Sequence, residues 1–201
     1  KLLEAVRAPI RLQGHQLRLS ASMGISLFPA DGVEPEILLK HADAALYRAK
    51  ARGRNRCELF DPTMTAHVAA RAALESDLRR ACKQDQLVLL YQPQINVQSG
   101  AVVGFEALMR WQHPRRGLLG PDAFIPLAEE SGLIGPLGSW ALHRACRDLA
   151  GWRLRSGGPV RMAVNISARQ LQQEGLAEEV GQALASSGLA PAQLELEVNE
   201  G

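Results

Sequence analysis

In the run FEALMRW, residues 105–111, a carboxylate and a guanidinium stand four positions apart with a leucine between them. The longer stretch AVVGFEALMRW contains no proline and is rich in Val, Phe, Leu and Trp, which predicts a strand. Side chains alternate faces along a strand. Val103, Phe105, Ala107, Met109 and Trp111 therefore share an apolar face, and Glu106, Leu108 and Arg110 share the other. VRMAVN opposes Val160, Met162 and Val164 to Arg161, Ala163 and Asn165. LELEVNE opposes Leu194, Leu196 and Val198 to Glu195, Glu197 and Asn199, and LVLLYQ opposes Leu87, Leu89 and Tyr91 to Val88, Leu90 and Gln92. Each of the four strands has one apolar face and a polar group near the end of the other.

In a barrel of parallel strands, side chains at the C-terminal strand ends line the site. Glu106, Asn165 and Glu197 would converge there as oxygen donors, a set suited to a hard divalent cation such as Mg²⁺ or Mn²⁺. Arg110, on the face of Glu106, suits a phosphate oxygen. Carboxylates for a metal beside a guanidinium for phosphate point to phosphoester chemistry. The same residues admit plainer roles. Glu106 and Arg110 fit a solvated edge or a structural ion pair, and Gln92 before Pro93 fits a strand end. Ser167 fits a helix cap after Asn165, and Glu195 and Glu197 fit a half-exposed strand.

The elements that must position these groups alternate strand and helix, which predicts an α/β fold with a largely parallel sheet or barrel. Expected strands are QLVLLYQP, AVVGFEALMRW, VRMAVNIS and QLELEVNE. Expected helices lie in PDAFIPLAEESG, in GSWALHRACRDLAGWRLRSG and within SARQLQQEGLAEEVGQALASSG. The second of these has Leu142, Ala145, Cys146, Leu149 and Trp152 as its apolar stripe. Only about eight residues, with Ser99-Gly100 among them, separate the first two strands, so these should pair antiparallel through a turn.

Upstream, QLRLSASMGISLFP reads as a strand closed by the turn PADG at 29–32. In EILLKHADAALYRAKARG, Leu38, Leu39, Ala42, Ala45, Leu46 and Ala49 recur at helical spacing, with Gly53 as a C-terminal stop. NRCELF is a short strand. Residues 62–84, opened by Pro62 and rich in alanine, read as one long helix coupling two units. The expected division is 1–60, a helical linker at 61–74, and 75–201.

The chain has 201 residues, 46% hydrophobic and 22% charged, with a net charge of +2 mixed along its length. That balance gives no footprint for a nucleic acid polymer or an anionic membrane. Cys57, Cys82 and Cys146 lie far apart without CxxC spacing or a nearby histidine pair, so reduced, mostly packing cysteines in a cytoplasmic protein are expected. No apolar run reaches the roughly 18 residues of a membrane span. The first residue is Lys1, so an internal start is expected, with sensor or membrane domains as candidates upstream.

FEALMRW resembles the signature of EAL-domain cyclic di-GMP phosphodiesterases, with Glu106-Ala107-Leu108 as the naming tripeptide. The likeness is an ordered set: LVLLYQPQINVQSGAVVGFEALMRWQHPRRGLLGPDAFIPLAEESGLI, then VNISARQL, then LELEVNE, from about residue 75 onward. SASMGISLFPADG followed by LLKHADAALYRAKARGRNR is similar to the C-terminal part of GGDEF diguanylate cyclase domains. The resemblance implies an incomplete TIM-like (β/α) barrel with an antiparallel first strand, preceded by the tail of an α/β cyclase-like domain. It implies Glu106, Asn165 and Glu197 as metal ligands, and Gln92, Leu108 and Arg110 as substrate contacts. The implied reaction is hydrolysis of cyclic di-GMP to linear pGpG, with divalent ions steadying the entering and leaving oxygens. A homodimer is compatible with it.

The sequence departs from the family's Glu-x-Thr-Glu-Ser, reading Glu197-Val198-Asn199-Glu200-Gly201. The family's Asp pair, Lys and Glu are absent and are expected beyond residue 201, since roughly half of a complete barrel of about 250 residues follows residue 74. No catalytic acid–base residue is therefore expected within the chain. The expectation is a fragment of a tandem GGDEF–EAL phosphodiesterase, inactive when taken alone. The alternative is a non-catalytic cyclic di-GMP receptor or regulatory protein with a degenerate EAL domain, and the Asp pair separates the two.

Overall fold

The computed structural model describes residues 1–152 and 160–198, which form two compact units, Lys1–Leu74 and Glu75–Gly201. The first opens with α1 (Leu2–Arg7) and a hairpin of β1 (Ile10–Leu12) and β2 (His15–Leu17). The hairpin turn has Gln13 and Gly14 both at positive φ, 51° and 85°, as a two-residue turn matched to strand twist demands. The single strand expected over 16–29 is thus divided, because β2 stops at Leu17 and β3 covers only Met23–Ile25. β3 pairs parallel with β4 (Cys57–Leu59), and α2 (Pro35–Ala51) crosses between them.

Gly24 is where α2 presses on β3: a Cβ there would lie 2.8 Å from Leu46 Cα and closer still to Ala42 O. Small residues make that approach possible, and Ala44 and Ala45 pack with Met64 and Phe60. Leu39, expected on the buried stripe, is exposed instead; the buried residues of α2 are Ala44, Ala45 and Ala49. Gly53 ends the helix region at φ 97°. Helix α3 runs Pro62–Ala81, and the residues after Ala81 turn toward the next strand.

In the second unit, β5 (Leu87–Ile95) pairs antiparallel with β6 (Val102–His113), as the short connection required. The Asn96 side-chain oxygen accepts from the backbone N–H groups of Gln98 and Ser99, 3.0 Å each, and Gly100 adopts φ 69°. β5 runs on through Pro93, which costs no ladder donor on an edge strand. Next come β7 (Gly117–Leu119), α4 (Ile125–Ser131) after a 3₁₀ turn at Pro121–Ala123, and α5 (Ile134–Gly151). β8 (Arg161–Ile166), α6 (Ala168–Leu171), α7 (Leu176–Ser187) and β9 (Leu194–Val198) complete it. Strand order is β5-β6-β8-β9, with β7 paired to β6; β6–β8 and β8–β9 are parallel. The fold is mixed α/β with an open sheet among the described residues.

One sheet face packs on α5. Ala107, Met162 and Val164 meet Ala145 and Leu149, with Tyr91 and Phe105 in edge contact with Trp152. Leu142, Ala145, Cys146 and Leu149 of the predicted stripe are buried, whereas Trp152 is half-buried and stands in extended backbone just past the end of α5, which starts a turn earlier than expected, at Ile134. The expected residues of this helix at 153–157 lie outside the described residues. α7 packs on α5 through Ala183 against Leu142 and Cys146. The single helix expected after Ser167 is broken at Gln172–Gly175, with Gly175 at φ 95°. Of the cysteines, Cys146 is buried, whereas Cys57 is exposed rather than packed.

Where α3 meets β6, Asp77 is 8% exposed and receives a hydrogen bond from His113 Nε2 at 3.1 Å, an ion pair from Arg115 at 2.8 Å and another from Arg80. His113 Nδ1 accepts from the Arg115 backbone N–H at 3.1 Å, so the ring proton sits on Nε2, facing the carboxylate. The Arg115 guanidinium leads in holding the Asp77 carboxyl below its ordinary range. A carboxyl with a depressed native pKa stabilises the fold above its unfolded value of about 3.9, and that stability is lost as pH falls through the native value. Asp77→Asn is therefore expected to lower the melting temperature at pH 7. The gap from wild type should narrow steadily in scans below about pH 5; a constant gap would refute the assignment.

Candidate functional site

The sheet face opposite α5 carries the polar residues picked out by alternation. In the antiparallel ladder Gln92 stands across from Glu106, and in the parallel ladders Glu106 is level with Ala163 and Asn165 with Glu197. Asn165 lies two residues beyond Ala163 on the same face, so its amide reaches back across the strands. Asn165 Nδ2 donates to Glu106 Oε1 at 2.8 Å.

Glu197 completes the group from β9. Partial burial raises its carboxyl above the usual range, and the charges of Glu106 and then Glu195 add to that rise. Two carboxylates that feel each other's charge, bridged toward an amide, form a site short of positive charge. Among the described residues no three His, Cys, Asp or Glu side chains gather as a metal centre. The set here is two carboxylates and one carboxamide, all oxygen-bearing, which fits Mg²⁺ or Mn²⁺ and does not fit zinc.

A groove of about 460 Å³ runs beside this group, lined by Glu106, Leu108, Arg110 and Asn165 on the strand side and by residues such as Ile125 and Glu129 on the other. Gln92, across from Glu106, and Glu197, level with Asn165, stand on the neighbouring strands and are not part of the groove lining among the described residues. Arg110 is half-buried and donates from Nη1 to its neighbour's carbonyl, Met109 O, at 2.8 Å, which steadies the guanidinium at the groove wall. Alternation could not reveal the opposite wall, Pro121, Asp122, Ile125 and Pro126, because it comes from a 3₁₀ turn and a short helix. The 3₁₀ turn begins at Pro121, and Gly132 closes the following helix at φ 74°. The helix expected in PDAFIPLAEESG is thus present, but nothing in its spacing marked it as a wall of the site.

The turn after Asn165 is tightly built. Ser167 caps α6, its side chain accepting from the Gln170 N–H at 3.2 Å, while Gln170 Oε1 accepts from the Ser167 N–H at 3.2 Å. The cap reading of Ser167 is therefore correct, and it coexists with a site at Asn165. Asn199 and Glu200, where the sequence departs from the family pattern, lie outside the described residues, as does Gly201.

The chain matches two family models: EAL domain over residues 75–201, and diguanylate cyclase, GGDEF domain, over residues 1–56. It is 45% identical over 200 residues to cyclic di-GMP phosphodiesterase NbdA of Pseudomonas aeruginosa. It is 42% identical over 200 residues to the bifunctional diguanylate cyclase/cyclic di-GMP phosphodiesterase MucR of the same organism. All of the chain is covered in both cases, but only 26% and 29% of those proteins, so it spans about a quarter of their length. Among solved structures it resembles the PaMucR phosphodiesterase–c-di-GMP complex, with TM-score 0.61 and 44% identity over 64% of this chain and 52% of that one. It also resembles the Xanthomonas citri FimX EAL domain in complex with c-diGMP, with TM-score 0.58 and 26% identity over 68% and 52%.

The charge arrangement makes a prediction that needs no substrate. Asn165→Asp replaces the donor to Glu106 with a third negative charge. Its cost is of the order of 1–3 kcal/mol, the usual penalty for stranding a partner in this way. In the absence of divalent ions its melting temperature should fall below wild type, and Mn²⁺ should recover more stability in the variant than in wild type. A variant as stable as wild type without metal would contradict the geometry.

Proposed function

The chain belongs to the EAL-domain family, and from that membership we propose that its strand-end oxygens hold Mg²⁺ or Mn²⁺ beside a bound cyclic di-GMP. The whole protein then hydrolyses one phosphodiester of that ligand to give linear pGpG. One observation carries the reading: Asn165 and Glu106 are joined at 2.8 Å on the wall of a groove that also presents Arg110. The relatives named as cyclic di-GMP phosphodiesterases, at 42–45% identity, support the substrate class.

Glu106 and Glu197 offer two negative charges, matching a divalent ion, and Asn165 offers a neutral oxygen. A bound divalent ion supplies positive charge against the phosphate. Arg110 faces the same groove with planar donors suited to phosphate oxygens, and its bond to Met109 O limits its freedom before substrate arrives. Leu108 and Ile125 give apolar surface on which a flat base can rest. Gln92, paired with Glu106 in register, contacts the dinucleotide from the strand edge.

The groove presents carboxylates, an amide and a guanidinium, groups that bind a nucleotide whether or not it is turned over. The second reading is accordingly a non-catalytic cyclic di-GMP receptor or regulatory protein with a degenerate EAL domain. The stretch matching the GGDEF model is proposed as the regulatory partner of the EAL part.

In the whole protein, Glu106→Ala should lower kcat by more than about 10²-fold, exceeding the 10–100-fold typical of residues that only support a ligand. Arg110→Ala should weaken cyclic di-GMP binding by about 10–100-fold, the worth of a hydrogen bond to a charged group. Steady-state kinetics and calorimetry read these effects. Full turnover by Glu106→Ala would overturn the metal assignment, and rapid hydrolysis of cyclic di-GMP by the whole protein would overturn the receptor reading.

A further inference from the structure

Gly138 sits inside α5, where a glycine weakens the helix relative to alanine, and its φ is not in the left-handed region that would require it. Its environment supplies the reason. A Cβ on residue 138 would lie 2.6 Å from Gln170 Cδ and nearer still to Gln170 Nε2. The missing side chain is the socket for the Gln170 amide.

Gln170 is 4% exposed, a rare degree of burial for a glutamine. Its Oε1 accepts from the Ser167 N–H at 3.2 Å and from Ser167 Oγ at 3.1 Å. Those bonds fix the turn that ends β8, and the turn begins two residues after Asn165. Ile166, between them, is 2% exposed and cannot shift without disturbing the core. Gly138, Gln170, Ser167 and Asn165 all border the same groove.

We infer that Gln170, seated in the Gly138 socket, is a positioning residue for Asn165, and through it for the oxygen set offered to a divalent cation. The inference rests on the metal-site reading above. α5 gives up helix stability at residue 138 so that a neighbouring turn can hold one amide against Glu106. Neither residue is offered as a ligand of the ion.

The test uses the whole protein with Mn²⁺ as probe, free Mn²⁺ being followed by electron paramagnetic resonance and stability by thermal unfolding. Gln170→Ala and Gly138→Ala should each weaken Mn²⁺ binding about tenfold, the lower end for residues that orient a ligand. Tyr91→Phe is the control for stability alone: it removes the 2.6 Å hydrogen bond to Asp148 on the face packed against α5 and should leave Mn²⁺ affinity within twofold. The pair should be strongly non-additive. Gly138→Ala should lower the melting temperature when Gln170 is present and raise it in the Gln170→Ala background, where the socket is empty and helix propensity prevails. Additive effects, or unchanged Mn²⁺ affinity in Gln170→Ala, would overturn the inference while leaving the metal site standing. Wild type that binds no Mn²⁺, or Glu106→Ala that binds it as well as wild type, would overturn both.

Discussion

The register of β8 against β6 is the constraint on which the candidate site depends. With Glu106 level with Ala163, Asn165 lies one pleat further on the same face, and its amide reaches Glu106 at 2.8 Å. A slip of one residue would turn every side chain of β8 to the other face. Asn165 would then point at α5, and Val164, now 1% exposed, would lose its packing against Ala145 and Leu149. The cost of stranding Met162, Val164 and Ile166 in water, about 1.5–3 kcal/mol for each side chain, therefore enforces the position of a polar residue that contributes little to the core.

The two faces of the sheet answer to different physics. Toward α5 the contacts are small on large: Ala107 and Ala145 leave room for Trp152 to meet Tyr91 and Phe105 edge-on. Tyr91 spends its hydroxyl on Asp148, and burial together with that carboxylate pushes its pKa up, so it remains a neutral donor. Toward the groove, like charges are held near each other and one carboxyl is shifted upward. Local order at a site that repels itself must come from its surroundings. The neighbouring turn provides it through the capping pair Ser167–Gln170.

Much of this was legible because β6, β8 and β9 keep their polar residues on one face at period two and β5 sets Gln92 opposite Tyr91, so their faces followed from spacing. The α5 stripe was legible for the same reason at helical period. Other features carried too weak a signal. β7 is three residues long, too short to show a period. The break between α6 and α7 fell inside a run whose composition stays helical, with Gly175 as its main mark. Leu39 fits the α2 stripe by spacing, yet the residues α2 buries are Ala44, Ala45 and Ala49, the first two packed with Met64 and Phe60. Among the site residues, Glu106, Asn165, Glu197 and Arg110 stood out as charge or amide on otherwise apolar strands. Gln170 did not, since a glutamine in SARQLQQ looks like any solvated residue until its burial is seen.

Crystals of the protein soaked in Mn²⁺ and measured at the manganese absorption edge test the central claim most directly. An anomalous peak is expected about 2.0–2.6 Å from oxygens of Glu106, Asn165 and Glu197, the range for hard divalent ions. A peak elsewhere on the chain, with Asn165 still donating to Glu106, would contradict it.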